Sequence, residues 1–202
     1  MVNDVHQSAE YALIYQILDR RSVDTFRQQR ANIRRGADPF TEHYAYPYIY
    51  PALGPDARSE VRKTAVRVAA LIAEFTDIPQ SQENGERKFK SFGTWCSELS
   101  VAWARQKKPD QQVSFDPRNP DAVAQRLAYI HTQDFEEAYK SIWRLMQMAN
   151  SLQISPACDY FSIYRLLSRW GNGVSEQSRA LRMQILKDYY GNIGQTADAS
   201  EN

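Results

Sequence analysis

The sequence predicts an all-α fold made of two small helical bundles, one N-terminal and one C-terminal, joined by a loop or linker. Apolar residues recur mostly at intervals of three and four, the spacing of one helix face, and convincing strand alternation is absent. Short segments separate the helices of the second half, which favours antiparallel neighbours. Of the 202 residues 43% are hydrophobic, enough apolar material for one ordinary core or two small ones.

Four helices are predicted in the first half of the chain, and two of the segments between them are distinctive. Ser22 is a suitable N-cap for the second helix, and Gly36 is a suitable end. Four prolines and five aromatic residues in 39–55 predict an ordered, packed loop, whereas the polar stretch 79–90 predicts a mobile one. The predicted helices span about residues 8–20, 22–35, 56–76 and 91–107.

The second half carries the strongest helical periodicity. Asn119 and Pro120 are suitable N-cap and first-turn residues after a predicted linker over 107–120. The predicted helices span about residues 120–131, 134–152, 156–170 and 175–190. The predicted organisation is an N-terminal bundle over 1–108, a C-terminal bundle over 109–191 and a loose tail over 192–202.

Several classes of protein are disfavoured by composition. No run of 18 apolar residues occurs, and the first residues lack a signal peptide, so a cytoplasmic protein that does not enter a membrane is expected. Cys96 and Cys158 fall in helical patterns and are predicted to be buried core thiols rather than a disulfide. The three histidines are scattered without metal-ligand spacing.

Signatures of catalysis are missing from the sequence. There is no glycine-rich phosphate loop, no nucleophile elbow and no HExxH motif. The acids Asp134, Glu136 and Glu137 lie together, but they are typical of the first turn of a helix, where the helix dipole favours them. We therefore predict no catalytic residue, cofactor, metal site or small-molecule substrate.

Charge is segregated along the chain although the net charge is only +1. Residues 1–19 hold three acids and no Lys or Arg, whereas 20–35 hold six arginines and one acid. Residues 58–67 hold four bases and one acid, and 87–108 hold six bases and one acid. This distribution predicts basic faces on a nearly neutral protein, a pattern that suits nucleic acid.

The predicted helix over 22–35 places Arg27, Arg30 and Arg34 within a 60° arc. Three guanidinium groups on one ridge repel one another unless anions lie between them, and phosphate suits their planar donor geometry. A solvated face with carboxylate partners elsewhere in the fold is the alternative.

Two further segments carry basic residues. One half of the helix over 56–76 is apolar, and the other carries Arg58, Arg62, Lys63 and Arg67. Membrane binding is disfavoured there, because large apolar anchors are few and the spacing suits core packing. In the loop, Lys88 and Lys90 flank Phe89, whose ring is placed to stack on an unpaired base, or is simply part of a surface loop.

Six motifs follow one another in an order that is more specific than any one of them. They are ANIRRG at 31–36, YPYIYP at 46–51, GTWCSEL at 93–99, DAVAQRLAYIHTQDFEEAYKSIWRLMQMA at 121–149, DYFSIYRLLSRWG at 159–171 and RMQILKDYYG at 182–191. In this order, over about residues 8–191, the chain resembles the CasB family, the small subunit of the type I-E CRISPR Cascade complex. It departs from the family in a longer central stretch over about 79–119.

The resemblance implies two helical bundles without a catalytic centre. It implies two copies paired head to tail, in contact with the backbone and large subunits of the complex. It also implies a basic surface that supports the guide RNA–target DNA heteroduplex and the displaced strand of the R-loop in antiviral defence. Base pairing with the guide reads the sequence, so a sequence-blind phosphate surface is sufficient.

The candidate nucleic-acid-binding residues combine those chosen by pattern with those that match the family by position, namely Arg34, Arg35, Arg144 and Arg169. The full set is Arg27, Arg30, Arg34, Arg35, Arg58, Arg62, Lys63, Arg67, Lys88, Lys90, Arg144 and Arg169. Two alternatives stay open: a helical scaffold that binds only protein, and a metal-dependent nuclease that uses Glu136 or Glu137.

Overall fold

The computed structural model describes residues 8–109, 116, 118–153 and 155–198. Over this part of the chain the fold is built from nine α-helices, four short 3₁₀ turns and one two-stranded ribbon, which confirms the all-α prediction. The helices are α1 (Ala9–Arg20), α2 (Arg27–Arg34), α3 (Tyr46–Leu53), α4 (Ser59–Glu74), α5 (Phe92–Lys107), α6 (Ala122–Leu127), α7 (Phe135–Asn150), α8 (Tyr160–Ser168) and α9 (Glu176–Asp198). None of these described helices is both long and apolar enough to cross a membrane.

The described residues form two compact units. The first contains the chain up to Thr76 together with Ile163–Ser168, and the second contains Asp77–Ser162 and the residues from Arg169 onward. Helix α5 belongs to the second unit, where it packs along α9. The division into folding domains at residue 108 stays a prediction, and half of the predicted linker over 107–120, residues 110–115 and 117, lies outside the described residues.

Helix α4 is the centre of the first unit. Helices α1, α2 and α3 all pack against it, and every residue from Thr64 to Ala73 is buried. Four of these are alanines, which let neighbouring backbones approach closely. A Cβ atom added to Gly36, just after α2, would lie 2.8 Å from a methyl group of Val66, so the end of α2 is held tightly against α4.

The packed loop predicted over 39–55 was wrong in part, because helix α3 forms within it. Pro47 lies in the first turn of α3, where a missing N–H removes no intrahelical hydrogen bond. Ile49 and Leu53 are four residues apart and both are buried, which gives this short helix a core face. Pro51 lies inside this eight-residue helix, where it has no N–H to donate to the carbonyl oxygen of Pro47.

The second unit is built around the crossing of α5 and α9. Gly93 lies at the closest approach, where an added Cβ atom would be 2.3 Å from the carbonyl oxygen of Ile185 and 2.7 Å from the Cβ atom of Asp188. Deeper in the interface, the hydroxyl groups of Ser100 and Tyr189 are hydrogen bonded at 2.8 Å. Cys96 and Cys158 are both buried free thiols in this unit, as predicted, and burial raises the pKa of the Cys96 thiol.

Replacing Gly93 with alanine is expected to lower the free energy of unfolding by about 3 kcal/mol, because backbone atoms on α9 cannot move aside independently. Gly191 is the matched control, since it lies in α9 with open space around its Cβ position. The Gly191→Ala variant should be more stable by about 0.5–1 kcal/mol, the gain for alanine over glycine inside a helix. Urea unfolding of both variants measures the difference, and equal midpoints would contradict this view of the crossing.

Helix α9 extends further than the sequence predicted. The end expected at Gly191 was wrong, because the helix continues to Asp198. Ile185, Tyr189 and Ile193 are all buried and follow one another at intervals of four, so the core stripe continues past the glycine. The predicted loose tail therefore begins no earlier than residue 199, and residues 199–202 lie outside the described residues.

The segment expected to be a mobile loop contains a small antiparallel ribbon of β1 (Gln82–Glu83) and β2 (Glu86–Arg87). Asn84 and Gly85 connect the strands, and both have positive φ angles, 53° and 81°. Such a conformation is typical of a two-residue hairpin turn, for which Asn-Gly is the favoured sequence. The missed signal was this Asn-Gly pair inside an otherwise polar segment.

Candidate nucleic-acid interface

The arginines predicted on one ridge of α2 have different environments. Arg27 is exposed, and its side chain has no hydrogen bond or ion pair within the described residues. Arg30 is half-buried and donates a hydrogen bond to the backbone oxygen of Arg21. Arg34 is half-exposed and forms an ion pair with Glu74 of α4. The alternative of carboxylate partners elsewhere in the fold therefore applies to Arg34 but not to Arg27.

Arg35 follows α2 and is oriented by an aromatic ring. Its guanidinium carbon lies 4.2 Å from the centre of the Tyr44 ring, a cation–π contact that leaves the edge of the guanidinium available for hydrogen bonds. The side chain is exposed. Arg35 therefore presents a fixed positive charge at the surface of the first unit.

Arg67 corrects one of the predicted assignments. Its side chain is 1% exposed, and Nη1 donates to the backbone oxygen of Gly36 at 2.7 Å and to Glu42 at 2.5 Å. This guanidinium joins α4 to the segment after α2 from inside the fold. A phosphate cannot reach it without displacing these partners, so Arg67 is a structural residue here.

The first turns of α4 keep their basic residues closer to solvent. Arg58 is the residue before α4 and is exposed, and its side chain has no partner within the described residues. Lys63 is exposed as well. Arg62 is half-buried, because its Nη2 atom donates to the backbone oxygen of Pro55 at 2.7 Å and the guanidinium lies 4.9 Å from the centre of the Tyr50 ring. Arg62 thus fixes α4 to the end of α3.

The two predicted lysines after the ribbon have different roles. Lys88 is exposed and forms an ion pair at 3.2 Å with Glu83, which is also exposed, so this contact contributes little to stability. The Nζ atom of Lys90 lies 2.6 Å from a carboxylate oxygen of Glu98 and 2.9 Å from the backbone oxygen of Ala157. Phe89 between them is 62% exposed. Lys90 therefore anchors the segment, while Lys88 and Phe89 remain at the surface.

The ribbon is anchored by an ion pair that the sequence analysis missed. Asp159 has a fully buried side chain and accepts hydrogen bonds from Nε and Nη2 of Arg87 at 2.9 and 2.6 Å. Gln80 and Ser162 donate to the same carboxylate at 3.1 and 2.6 Å. Arg87 and Asp159 are 72 residues apart, so no local spacing indicates that they meet.

Burial of Asp159 is the largest single effect on its pKa and acts to raise it. Hydrogen bonds from Arg87 and Ser162, the charge of Arg87 and the hydrogen bond from Gln80 together outweigh burial and hold the pKa below its usual value. The carboxylate is therefore ionised in the folded protein.

The remaining predicted arginines are at the surface of the second unit. Arg144 is on the exposed side of α7, and Arg169 follows the end of α8. Both are exposed, and neither side chain has a hydrogen bond or ion pair within the described residues. Of the predicted arginines, each unit thus presents two that are exposed and uncommitted, Arg27 and Arg58 in the first and Arg144 and Arg169 in the second.

The acids considered for a nuclease have a structural explanation. The Asp134 carboxylate accepts from the backbone N–H of Glu137, and the Glu137 carboxylate accepts from that of Asp134, which makes a capping box at the start of α7. This confirms the interpretation as an acidic first turn. Among the described residues, no group of three or more His, Cys, Asp or Glu side chains is arranged to hold a metal ion.

Comparison with known proteins decides the family. The model of the family described as CRISPR-associated protein Cse2 matches residues 29–190. The chain belongs to the Cse2 family. The match covers most of the sequence and confirms the resemblance that the order of motifs indicated. Among curated protein sequences there is no significant match.

Solved structures support the Cse2-family fold. Two of them come from Thermus thermophilus, one a CRISPR-associated protein of the Cse2 family and the other CasB. Each has a TM-score of 0.62 at 18% sequence identity, with 91% of this chain and 99% of the other covered. A chain of a CRISPR RNA-guided surveillance complex has a TM-score of 0.63 at 18% identity, with 96% of this chain and 98% of the other covered. At this identity the likeness establishes a shared fold.

Proposed function

We propose that this Cse2-family protein is a non-catalytic subunit of a CRISPR surveillance complex of the type I-E Cascade kind. In this role it binds the nucleic-acid backbone, supports the guide RNA–target DNA heteroduplex and stabilises the displaced strand of the R-loop. The membership of the family and the likeness in fold to a chain of an RNA-guided surveillance complex support this proposal.

The observation that carries the proposal is the exposure of four predicted arginines, Arg27, Arg58, Arg144 and Arg169, whose side chains have no partner among the described residues. An arginine whose charge is neutralised inside the fold has little to offer a phosphate, whereas an uncommitted guanidinium is able to donate two hydrogen bonds to one phosphate group. Such contacts carry no sequence information, which suits a complex in which the guide reads the sequence.

The proposed partners are the backbone and large subunits of Cascade, a second copy of the chain, the guide RNA and the target DNA, all in the cytoplasm. No cofactor, metal or small-molecule substrate is part of the proposal. R-loop formation is nearly balanced in free energy, so a few backbone contacts are enough to decide whether the displaced strand stays separated.

Reversing the charge of the exposed arginines is expected to weaken nucleic-acid binding without unfolding the protein. The test compares the wild-type chain with two double variants in gel shifts with single-stranded DNA at several salt concentrations. One variant carries Arg27→Glu and Arg58→Glu, and the other carries Arg144→Glu and Arg169→Glu. Each phosphate contact contributes about −0.7 to the slope of log affinity against log salt for a single strand. Losing two contacts should make the slope shallower by about 1.4.

The control for net charge is a third double variant, which carries Arg126→Glu and Lys187→Glu. Both residues are exposed and lie outside the predicted set. If this pair weakens binding as much as the proposed pairs do, only net charge matters and the assigned arginines are wrong. If the wild-type chain and the variants bind equally at every salt concentration, the proposed surface is wrong as well.

A helical scaffold that binds only protein is the second candidate. It is favoured by the number of predicted cations that are engaged inside the fold, namely Arg30, Arg34, Arg62, Arg67 and Lys90. Under this alternative the four exposed arginines would meet acidic surfaces of neighbouring subunits. Charge reversal would then reduce incorporation into the complex, and those complexes that contain the variant would bind nucleic acid with unchanged affinity.

A further inference from the structure

We propose that the turn after α2, with Phe40 at its tip, is a stacking platform for an unpaired base of single-stranded nucleic acid. The proposal rests on the proposed function and deepens it, because it adds a base contact in the first unit to a function argued above from phosphate contacts. Phe40 was not among the residues predicted from the sequence, and it is the most exposed large apolar side chain of the described residues, at 89%.

The ring is exposed on a backbone that is held in place. The backbone N–H of Phe40 donates to Oδ1 of Asp38 at 2.8 Å, and the N–H of Thr41 donates to the backbone oxygen of Asp38 at 3.0 Å. The hydroxyl of Thr41 donates to the backbone oxygen of Arg35 at 2.8 Å, which ties the turn to the end of α2. A tethered backbone lowers the entropic cost of presenting the ring to a ligand.

Cationic and aromatic groups flank the ring along the chain. The guanidinium of Arg35 lies over the ring of Tyr44, whose side chain is 44% exposed. The rings of His43 and Tyr44 have centres 4.3 Å apart. Aromatic rings interleaved with cations are the composition of surfaces that bind single strands, in which bases stack on rings and phosphates meet the cations.

The acids of this segment do not oppose an anionic ligand strongly. Asp38 accepts a hydrogen bond from the backbone N–H of Phe40, and Glu42 is paired with Arg67 and accepts from the hydroxyl of Tyr46. The charge of Glu42 is therefore compensated within the fold, while exposed Asp38 keeps its charge and lies three residues from exposed Arg35.

A protein partner fits this feature less well than a base does. Residues that dominate protein interfaces lie in desolvated pockets surrounded by contacts that exclude water. Phe40 projects from a turn in which Asp38, Pro39 and His43 are exposed, so no continuous apolar surface surrounds the ring. A flat base needs only the face of the ring and a nearby cation for its phosphate.

The test compares two strands that carry the same phosphates. Fluorescence anisotropy measures binding of the full chain to a labelled strand of twenty thymidines and to an abasic strand of equal length at low salt. The wild-type chain should bind the thymidine strand about tenfold more tightly, the factor expected for one stacked base. Phe40→Ala should remove this preference and leave affinity for the abasic strand unchanged, while Phe40→Trp should retain it.

The control is Tyr129→Ala, which removes another highly exposed ring, in the second unit, and should preserve the preference. Equal binding of both strands by the wild-type chain overturns the platform and leaves phosphate binding intact. Failure to bind either strand at low salt overturns both the platform and the phosphate-binding function. If Phe40→Ala abolishes self-association and leaves the strand preference intact, the ring is a protein contact and the platform is wrong.

Discussion

Replacing Arg67 with alanine is expected to lower the free energy of unfolding by about 3 kcal/mol, the cost of breaking a buried ion pair by removing one partner. The variant loses the hydrogen bond to the backbone oxygen of Gly36 and leaves Glu42 without its cation. Glu42 is 24% exposed, so water compensates for part of the loss and keeps the cost at the lower end of the range for buried pairs.

Urea unfolding monitored by circular dichroism measures this effect. Lys63→Ala is the matched control, since it removes an exposed base from the same helix and should change stability by less than about 0.5 kcal/mol. The sequence assigns Arg67 to the basic, nucleic-acid-binding half of its helix, where its loss would leave stability unchanged. For Arg67 the opposite is expected, and an Arg67→Ala variant as stable as Lys63→Ala would refute the structural role.

Replacing Asp159 with asparagine is expected to cost about 3 kcal/mol at neutral pH. The substitution leaves Arg87, whose side chain is 15% exposed, without its counter-charge, and replaces one acceptor oxygen with a donor inside a cluster of donors. Ser162→Ala is the milder control, because it removes one hydrogen bond to the carboxylate and should cost about 1 kcal/mol.

The ion pair between Arg87 and Asp159 also predicts how the free energy of unfolding changes with pH. Because the folded pKa of Asp159 is below its unfolded value, the carboxylate stabilises the fold fully above the unfolded pKa, near 3.9. That contribution is lost as the pH falls through the lower, folded pKa. The stability difference between the wild type and Asp159→Asn should therefore be constant from pH 5 to 7 and shrink below about pH 4. A difference that grows on acidification would contradict the assignment.

Much of the fold could be predicted because helix periodicity is a local property of the sequence. Helices α4, α5 and α7 form within the segments over which the apolar spacing predicts helices. The prediction of helix boundaries failed where the same residue type occurs both inside helices and at their ends. Pro47 starts a helix as readily as it breaks one, and Gly191 continues α9 because Ile193 extends the core stripe.

The candidate site was predictable in its charge but not in its internal pairing. Segregated bases indicated a basic surface, and eight of the twelve predicted side chains are exposed. Which cations the fold itself would neutralise depends on contacts between distant residues, such as Arg34 with Glu74, 40 residues apart. One local signal was available for Arg67: apolar residues surround it on all sides of α4 from Ala65 to Ala73, a pattern that indicates a buried position.

We propose that exposed arginines of this Cse2-family chain hold nucleic acid within a surveillance complex. The most direct measurement is the affinity of the assembled complex for target duplex DNA, together with permanganate reactivity of the displaced strand. The complex contains either the wild-type chain or a variant that carries Arg27→Glu, Arg58→Glu, Arg144→Glu and Arg169→Glu. We expect the variant to enter the complex at normal stoichiometry, to bind the target more weakly and to let the displaced strand re-pair. Normal incorporation with unchanged affinity and an equally open strand would contradict a role of these arginines in holding nucleic acid.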